Sequence, residues 1–188
     1  MEFDWKADVL EQLEWHWEHQ LRPRLDGLTD EEYFWEPVPG CWSIRRRGES
    51  TAPVSVGGGE FTMDYAPPPR ALEPVTTIAW RLAHLIVAIF GRRNASHFGG
   101  PPADYQTFEY AACADEALSQ LDDGYAAWVK GVRSLDTGEL ARPCGPAEAP
   151  FGDVSMLGLV LHISREVIHH GAEIALLRDL YLSKSVPQ

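Results

Sequence analysis

Cysteine is scarce in these 188 residues: Cys41, Cys113 and Cys144 are an odd number with no C-x-x-C spacing. That excludes a disulfide framework and a thiolate zinc knuckle, and the three are read as reduced packing or loop residues. Positive charge is short as well, with 16 Lys and Arg against 28 Asp and Glu for a net charge of −12. Such a chain repels a phosphate backbone, so nucleic acid is not an expected partner. The one basic run, Arg45-Arg46-Arg47, lies in a turn-rich stretch and reads as a solvated loop or a small-anion contact. No stretch approaches the roughly 18 uninterrupted apolar residues of a membrane span. The start, Met1-Glu2-Phe3-Asp4-Trp5, is too acidic and polar for a secretory signal. A cytoplasmic protein that does not engage membranes is expected, and no internal repeat is present.

What is there has an ordinary globular balance, 45% hydrophobic and 23% charged. The length suits a single domain over residues 1–188, on a prior of roughly 100–200 residues per domain. Four long helical segments are legible. In the first, from about Trp5 to Leu25, Val9, Leu10, Leu13, Trp17 and Leu21 recur at helical spacing, with Pro23 near its end. Thr29 and Glu32 form a capping box that predicts a short helix over Asp30 to Trp35. Residues 36–73 then lose helical character, with Pro37, Pro39, Pro53, Pro67, Pro68 and Pro69 and the run Gly57-Gly58-Gly59. Pro53–Val56 and Glu60–Tyr65 flank the glycines and are expected to pair as a small hairpin. A connection of this length is uncommon inside a compact domain and marks a crossover or a functional loop.

The second long helix is expected to start at Pro74 and run through Ile78, Leu82, Leu85, Ile86 and Ile89 to about His97, before Gly99-Gly100-Pro101-Pro102. The third covers Asp115 to Leu135, striped by Leu118, Leu121, Tyr125, Trp128, Val129 and Val132. After a connection rich in glycine and proline, the fourth begins near Asp153 or Ser155 and ends around Leu182, with Pro187 in the tail. The fold class is therefore all-α: a four-helix bundle whose long first crossover carries a small β-hairpin.

The fourth helix holds the chemistry. At about 100° per residue, His162, Glu166, His169, His170 and Glu173 share an arc of roughly 100° that Leu159, Leu177 and Leu180 bracket. A stripe that is apolar at both ends and ionisable in the middle is not a solvated face. Ionisable groups in a bundle core cost several kcal/mol unless they pair or bind a metal. Glu166 and His170, four residues apart, point the same way and can chelate one ion. His84, set among Leu82, Leu85 and Ile86, is placed to give a third ligand from a facing helix. Two imidazoles, one carboxylate and an open position match catalytic Zn²⁺, with Ni²⁺, Fe²⁺ and Mn²⁺ also fitting. His162 and Glu173 are expected to orient the ligands; His169 points some 100° from His170. Glu166-x-x-His169 also matches half of a di-iron motif, but no second E-x-x-H exists.

The pattern Trp80-Arg81-Leu82-Ala83-His84-Leu85, with Glu166-Val167-Ile168-His169-His170-Gly171-Ala172-Glu173-Ile174, resembles the DinB-like superfamily. Trp35-Glu36-Pro37 and Cys41-Trp42-Ser43-Ile44-Arg45 resemble that superfamily's segment after helix one. Its members are four-helix bundles that include bacillithiol transferases and mycothiol-dependent maleylpyruvate isomerases. The resemblance implies His84, Glu166 and His170 as metal ligands, a His/Glu/His set like that of the isomerase branch. No counterpart of the isomerases' C-terminal domain follows helix four in this sequence, so the likeness is to their N-terminal bundle.

The resemblance implies a thiol S-transferase or isomerase, in which the metal lowers the pKa of a low-molecular-weight thiol such as mycothiol and the thiolate attacks a small-molecule electrophile. Arg45, Arg46 or Arg92 would contact the thiol's polar groups, and Trp15, Trp17, Trp42 and Trp80 are candidates to line a pocket or pack the core. Two alternatives stand beside it. One is a metal-dependent hydrolase with Glu173 or His162 as base. The other is a non-catalytic dimeric bundle whose metal is structural or absent. Helix four is apolar almost all round, which suits a buried central helix or a subunit interface, and a homodimer is expected.

Overall fold

A computed structural model describes residues 5–67 and 74–184; Met1 to Asp4, Pro68, Pro69 and Pro187 lie outside them. Helix α1 is α-helical over Trp5–His16, widens to π-helical hydrogen bonding over Trp17–Leu21, and finishes with Arg22–Arg24. Its stripe of Leu10, Leu13, Trp17 and Leu21 is buried, as the spacing required. Helix α2, Asp30–Tyr33, begins with the expected capping box: Glu32 N–H donates to Thr29 Oγ1 and Thr29 N–H to Glu32 Oε2. It stops two residues short of Trp35. The Glu32 carboxylate is buried and takes Arg178 Nε at 3.0 Å, which ties α2 to the last helix.

The crossover forms a three-stranded antiparallel sheet, more than the hairpin expected. Strands β1 (Ile44–Arg46), β2 (Val54–Val56) and β3 (Phe61–Tyr65) lie in the order β1-β3-β2, with Met63 opposite both Ile44 and Val56. The β2–β3 pair is the expected hairpin. The additional strand, β1, takes in two of the three arginines of the run that read as a loop. Arg45 is pinned by Asp64 (Nε–Oδ2 2.9 Å), Glu36 (Nη1–Oε1 2.7 Å) and the Cys41 carbonyl, so its charge is satisfied inside the sheet. The hairpin's glycine tip docks on a distant loop: Gly58 N–H donates to the Phe108 carbonyl at 2.9 Å. A Cβ on Gly58 would stand 2.3 Å from the Thr107 carbonyl oxygen, so no side chain fits there.

Helix α3 runs through Ile78–His84, a π-helical stretch Leu85–Gly91, and Arg92–Phe98, ending at Gly99 in the left-handed region. It starts at Ile78 rather than Pro74 because the preceding backbone is committed elsewhere. Trp42 N–H donates to Val75 and Thr77 N–H donates back to Trp42, a short parallel bridge. Thr77 Oγ1 then caps the helix by accepting from Trp80 N–H. Helix α4 is Ala114–Ser134, α5 is Thr137–Ala141, and a 3₁₀ turn covers Pro146–Glu148. Helix α6, Met156–Ser183, is capped by Ser155. α1, α3, α4 and α6 are the four long helices, packed around Leu13, Leu82, Leu85, Leu121, Trp128, Ile163, Val167 and Ile174. Among the described residues no helix is long and apolar enough to cross a membrane.

Candidate metal centre

The apolar stripes of α3 and α6 are pressed together by burial, and that contact brings their polar residues face to face. His84 closes the first stretch of α3, just before the backbone widens; Glu166 and His170 sit one turn apart on α6. Each of the three offers a ligand atom, and these atoms lie within 4.8 Å of one another. Glu166 Oε2 is 3.5 Å from His170 Nε2, and the two imidazoles stand nearly perpendicular, 4.8 Å between centroids and 85° between planes.

Both imidazoles are held from behind. His84 Nδ1 is 2.7 Å from the Tyr105 hydroxyl, so with the proton on Nδ1, donated to the phenol oxygen, the lone pair of Nε2 stays free. Trp80 stacks on the same ring at 5.7 Å, and its indole N–H donates to the Asp64 carbonyl, linking helix to sheet. Burial, followed by the nearby His170, Arg81 and Arg93, pushes the His84 imidazole down to about 3, so it is neutral at pH 7. His170 Nδ1 is 2.6 Å from Glu173 Oε2, and Arg81 Nε meets the same carboxylate oxygen at 3.1 Å. Glu173 thus fixes which nitrogen of His170 faces Glu166, and Arg81 offsets the carboxylate's charge. Glu166 Oε1 lies 3.5 Å from His162 Nδ1, whose pKa is lowered, chiefly by burial.

His169, His170 and Glu173 form an overlapping trio. Its carboxylate is already engaged by His170 and Arg81, and His169 is exposed, which leaves the first set as the better cation site. That set supplies two imidazole nitrogens and one carboxylate, a combination suited to a divalent cation.

A family model described as the DinB superfamily matches residues 61–174, more than half of the chain. The chain belongs to the DinB superfamily. No curated protein and no solved structure matches it. The segment matched to the DinB superfamily runs from β3 into α6 and contains His84, Glu166 and His170 together with Arg81, Tyr105, His162 and Glu173.

Arg45 and Arg46 lie outside that segment, on β1. Arg45 has its guanidinium consumed by Glu36, Asp64 and Cys41, and Arg46 pairs with Glu60 on the exposed side of the sheet. A strand, not a loop, carries both. Arg92 is exposed on α3. Of the tryptophans, Trp80 alone stacks on a site residue; Trp17 is buried against Tyr125, Trp42 packs on Trp80, and Trp15 is exposed. The three cysteines are free thiols; Cys41 and Cys144 are buried, and burial pushes Cys41 up to about 11. Sequence reasoning missed Tyr105 and the role of Arg81. Arg81, one turn before His84, carried a spacing signal; Tyr105, in a loop, carried none.

Proposed function

We propose that this protein is a metal-dependent enzyme that activates a low-molecular-weight thiol for S-transfer or thiol-assisted isomerisation at the His84/Glu166/His170 centre. The observation that carries the reading is the convergence of two imidazoles and one carboxylate, with ligand atoms within 4.8 Å, between two helices. Membership of the DinB superfamily adds support. A divalent cation held there, Zn²⁺ before Ni²⁺, Fe²⁺ or Mn²⁺, supplies Lewis acidity that lowers the pKa of a sulfur bound beside it. Mycothiol is the first thiol to try.

The chain's own residues supply the rest. Tyr105 and Glu173 keep the two imidazoles oriented, and Arg81 holds the Glu173 carboxylate in place beside them. His162, neutral at pH 7 and half-buried beside Glu166, is placed to take the thiol proton on its ring. A hydrolytic variant of the same site would use His162 as its base, because Glu173 is engaged. Leu161, Ile168 and Leu176, exposed on α6, support a homodimer through that helix.

Elemental analysis of the purified protein and of His84→Ala, Glu166→Ala and His170→Ala is the deciding measurement. About one equivalent of metal in the native chain, lost in each variant, is expected. No stoichiometric metal and no response of any activity to chelator would sink the reading. Consumption of mycothiol, bacillithiol or glutathione in the presence of an electrophile then separates transferase from hydrolase.

A further inference from the structure

A groove of about 330 Å³ opens on the same face of α6 as the candidate metal ligands, towards the helix N-terminus. That volume falls at the low end of the roughly 300–1,000 Å³ of small-molecule sites. Its floor includes Leu159 and Gly158, and the exposed side chains of Phe151 and Val154 stand at its rim. His162 is in its wall and lies 3.5 Å from Glu166, so the groove and the metal centre are separated by one side chain.

Two arginines line it. Arg93 gives one arm of its guanidinium to Glu148 at 2.8 Å and another to the Ala88 carbonyl, and its Nε is buried with no hydrogen-bond partner. The Glu148 carboxylate is fully used, since its other oxygen takes His97 Nε2 at 3.1 Å. Arg165 pairs with no carboxylate among the described residues; it meets only His162 Nδ1, at 3.2 Å. The groove therefore combines apolar walls with one exposed cation, Arg165, that no carboxylate of the described residues neutralises, beside the charge-satisfied Arg93–Glu148 pair.

We propose that this groove binds a small organic anion, its carboxylate against Arg165 and its apolar body between Phe151, Val154 and Leu159. A carboxylate matches the planar fork of a guanidinium. A ligand anchored there reaches past His162 towards Glu166. Binding in the groove is independent of the metal; the role given to the ligand, as thiol or as electrophile, rests on the thiol-transfer reading.

Calorimetric titration of the metal-free full chain with 4-phenylbutanoate and with its neutral amide tests the site. The acid is expected to bind at least about tenfold more tightly than the amide. Arg165→Gln is expected to remove that preference, Arg165→Lys to restore part of it, and Phe151→Ala to weaken acid and amide alike. Equal affinity for acid and amide, a preference that survives Arg165→Gln, or a preference seen only after zinc is added would overturn the proposal. Glutathione in place of the aromatic acid identifies the source of the carboxylate: an Arg165-dependent affinity assigns it to the thiol, and dependence with 4-phenylbutanoate alone assigns it to the electrophile. An acid preference retained in a protein that binds no metal would leave this site standing and remove the metal-dependent reading.

Discussion

Two polar clusters sit within one domain-sized fold and differ in how completely they satisfy themselves. In the sheet, Asp64 is almost fully buried, yet it accepts from Arg45 Nε, Ser43 N–H and the Ser50 hydroxyl, while Arg45 also reaches Glu36 and Cys41. Every strong donor there has an acceptor. Between α3 and α6, the outer partners Tyr105, Glu173 and Arg81 are just as well placed, but the inner edge of the cluster sets two imidazole rings against a carboxylate with contacts no closer than 3.5 Å between Glu166 and His170. His84 and His170 turn imidazole edges towards a carboxylate, with His84 held neutral by its burial. A closed cluster fixes a chain in place. An open one, oriented from behind and short of positive charge in front, is able to hold a cation.

The comparison breaks most sharply at the ligands. His84→Ala, Glu166→Ala or His170→Ala should each reduce bound metal to less than about a tenth of the native content. Their circular dichroism should stay native, since removing a ligand leaves the helix stripes intact. Next comes the closed cluster: Asp64→Ala leaves Arg45 its Glu36 partner but removes the acceptor shared by Arg45 Nε, buried Ser43 N–H and the Ser50 hydroxyl, and should cost roughly 1–3 kcal/mol in denaturant unfolding. If the variant still folds, its metal content should be unchanged, and a loss of metal would show that the two clusters are coupled. A smaller effect is expected from Tyr105→Phe, which removes the hydroxyl behind His84 and should weaken metal affinity about 10- to 100-fold in competition with a chelating dye. Unaltered affinity would make the Tyr105 contact incidental. The smallest readout is thiol reactivity. With its pKa pushed up to about 11, Cys41 is almost wholly protonated at pH 8, and mass spectrometry after brief iodoacetamide treatment should find partly exposed Cys113 alkylated before Cys41.

Much of the helical frame was legible because long amphipathic stripes repeat a signal over many turns. Leu118, Leu121, Trp128 and Val132 define α4 to within one residue at each end, and Ser155 caps α6 where expected. The sheet was less legible. A three-residue strand such as Ile44–Arg46 has no periodicity to read, and its arginines looked like surface charge until Asp64 and Glu36, distant in sequence, supplied the partners. Pro74 looked like a helix start because a proline's local preference is real, but the Trp42–Thr76 bridge claimed that backbone first.

The sequence alone determined which residues of α3 and α6 are able to hold an ion, since helical spacing forces Glu166 and His170 onto one face and places His84 among leucines. It also determined the overall charge and the α-helical class. Only the tertiary structure decided that His84 stands across from that pair, that Tyr105 and Arg81 complete the support, and that the Arg45 charge is spent inside the sheet. The physical reason is the reach of each interaction. Helix periodicity is written in neighbours three or four residues apart, whereas a hydrogen bond from His84 to Tyr105 or a glycine seated against Thr107 depends on chain segments brought together by burial.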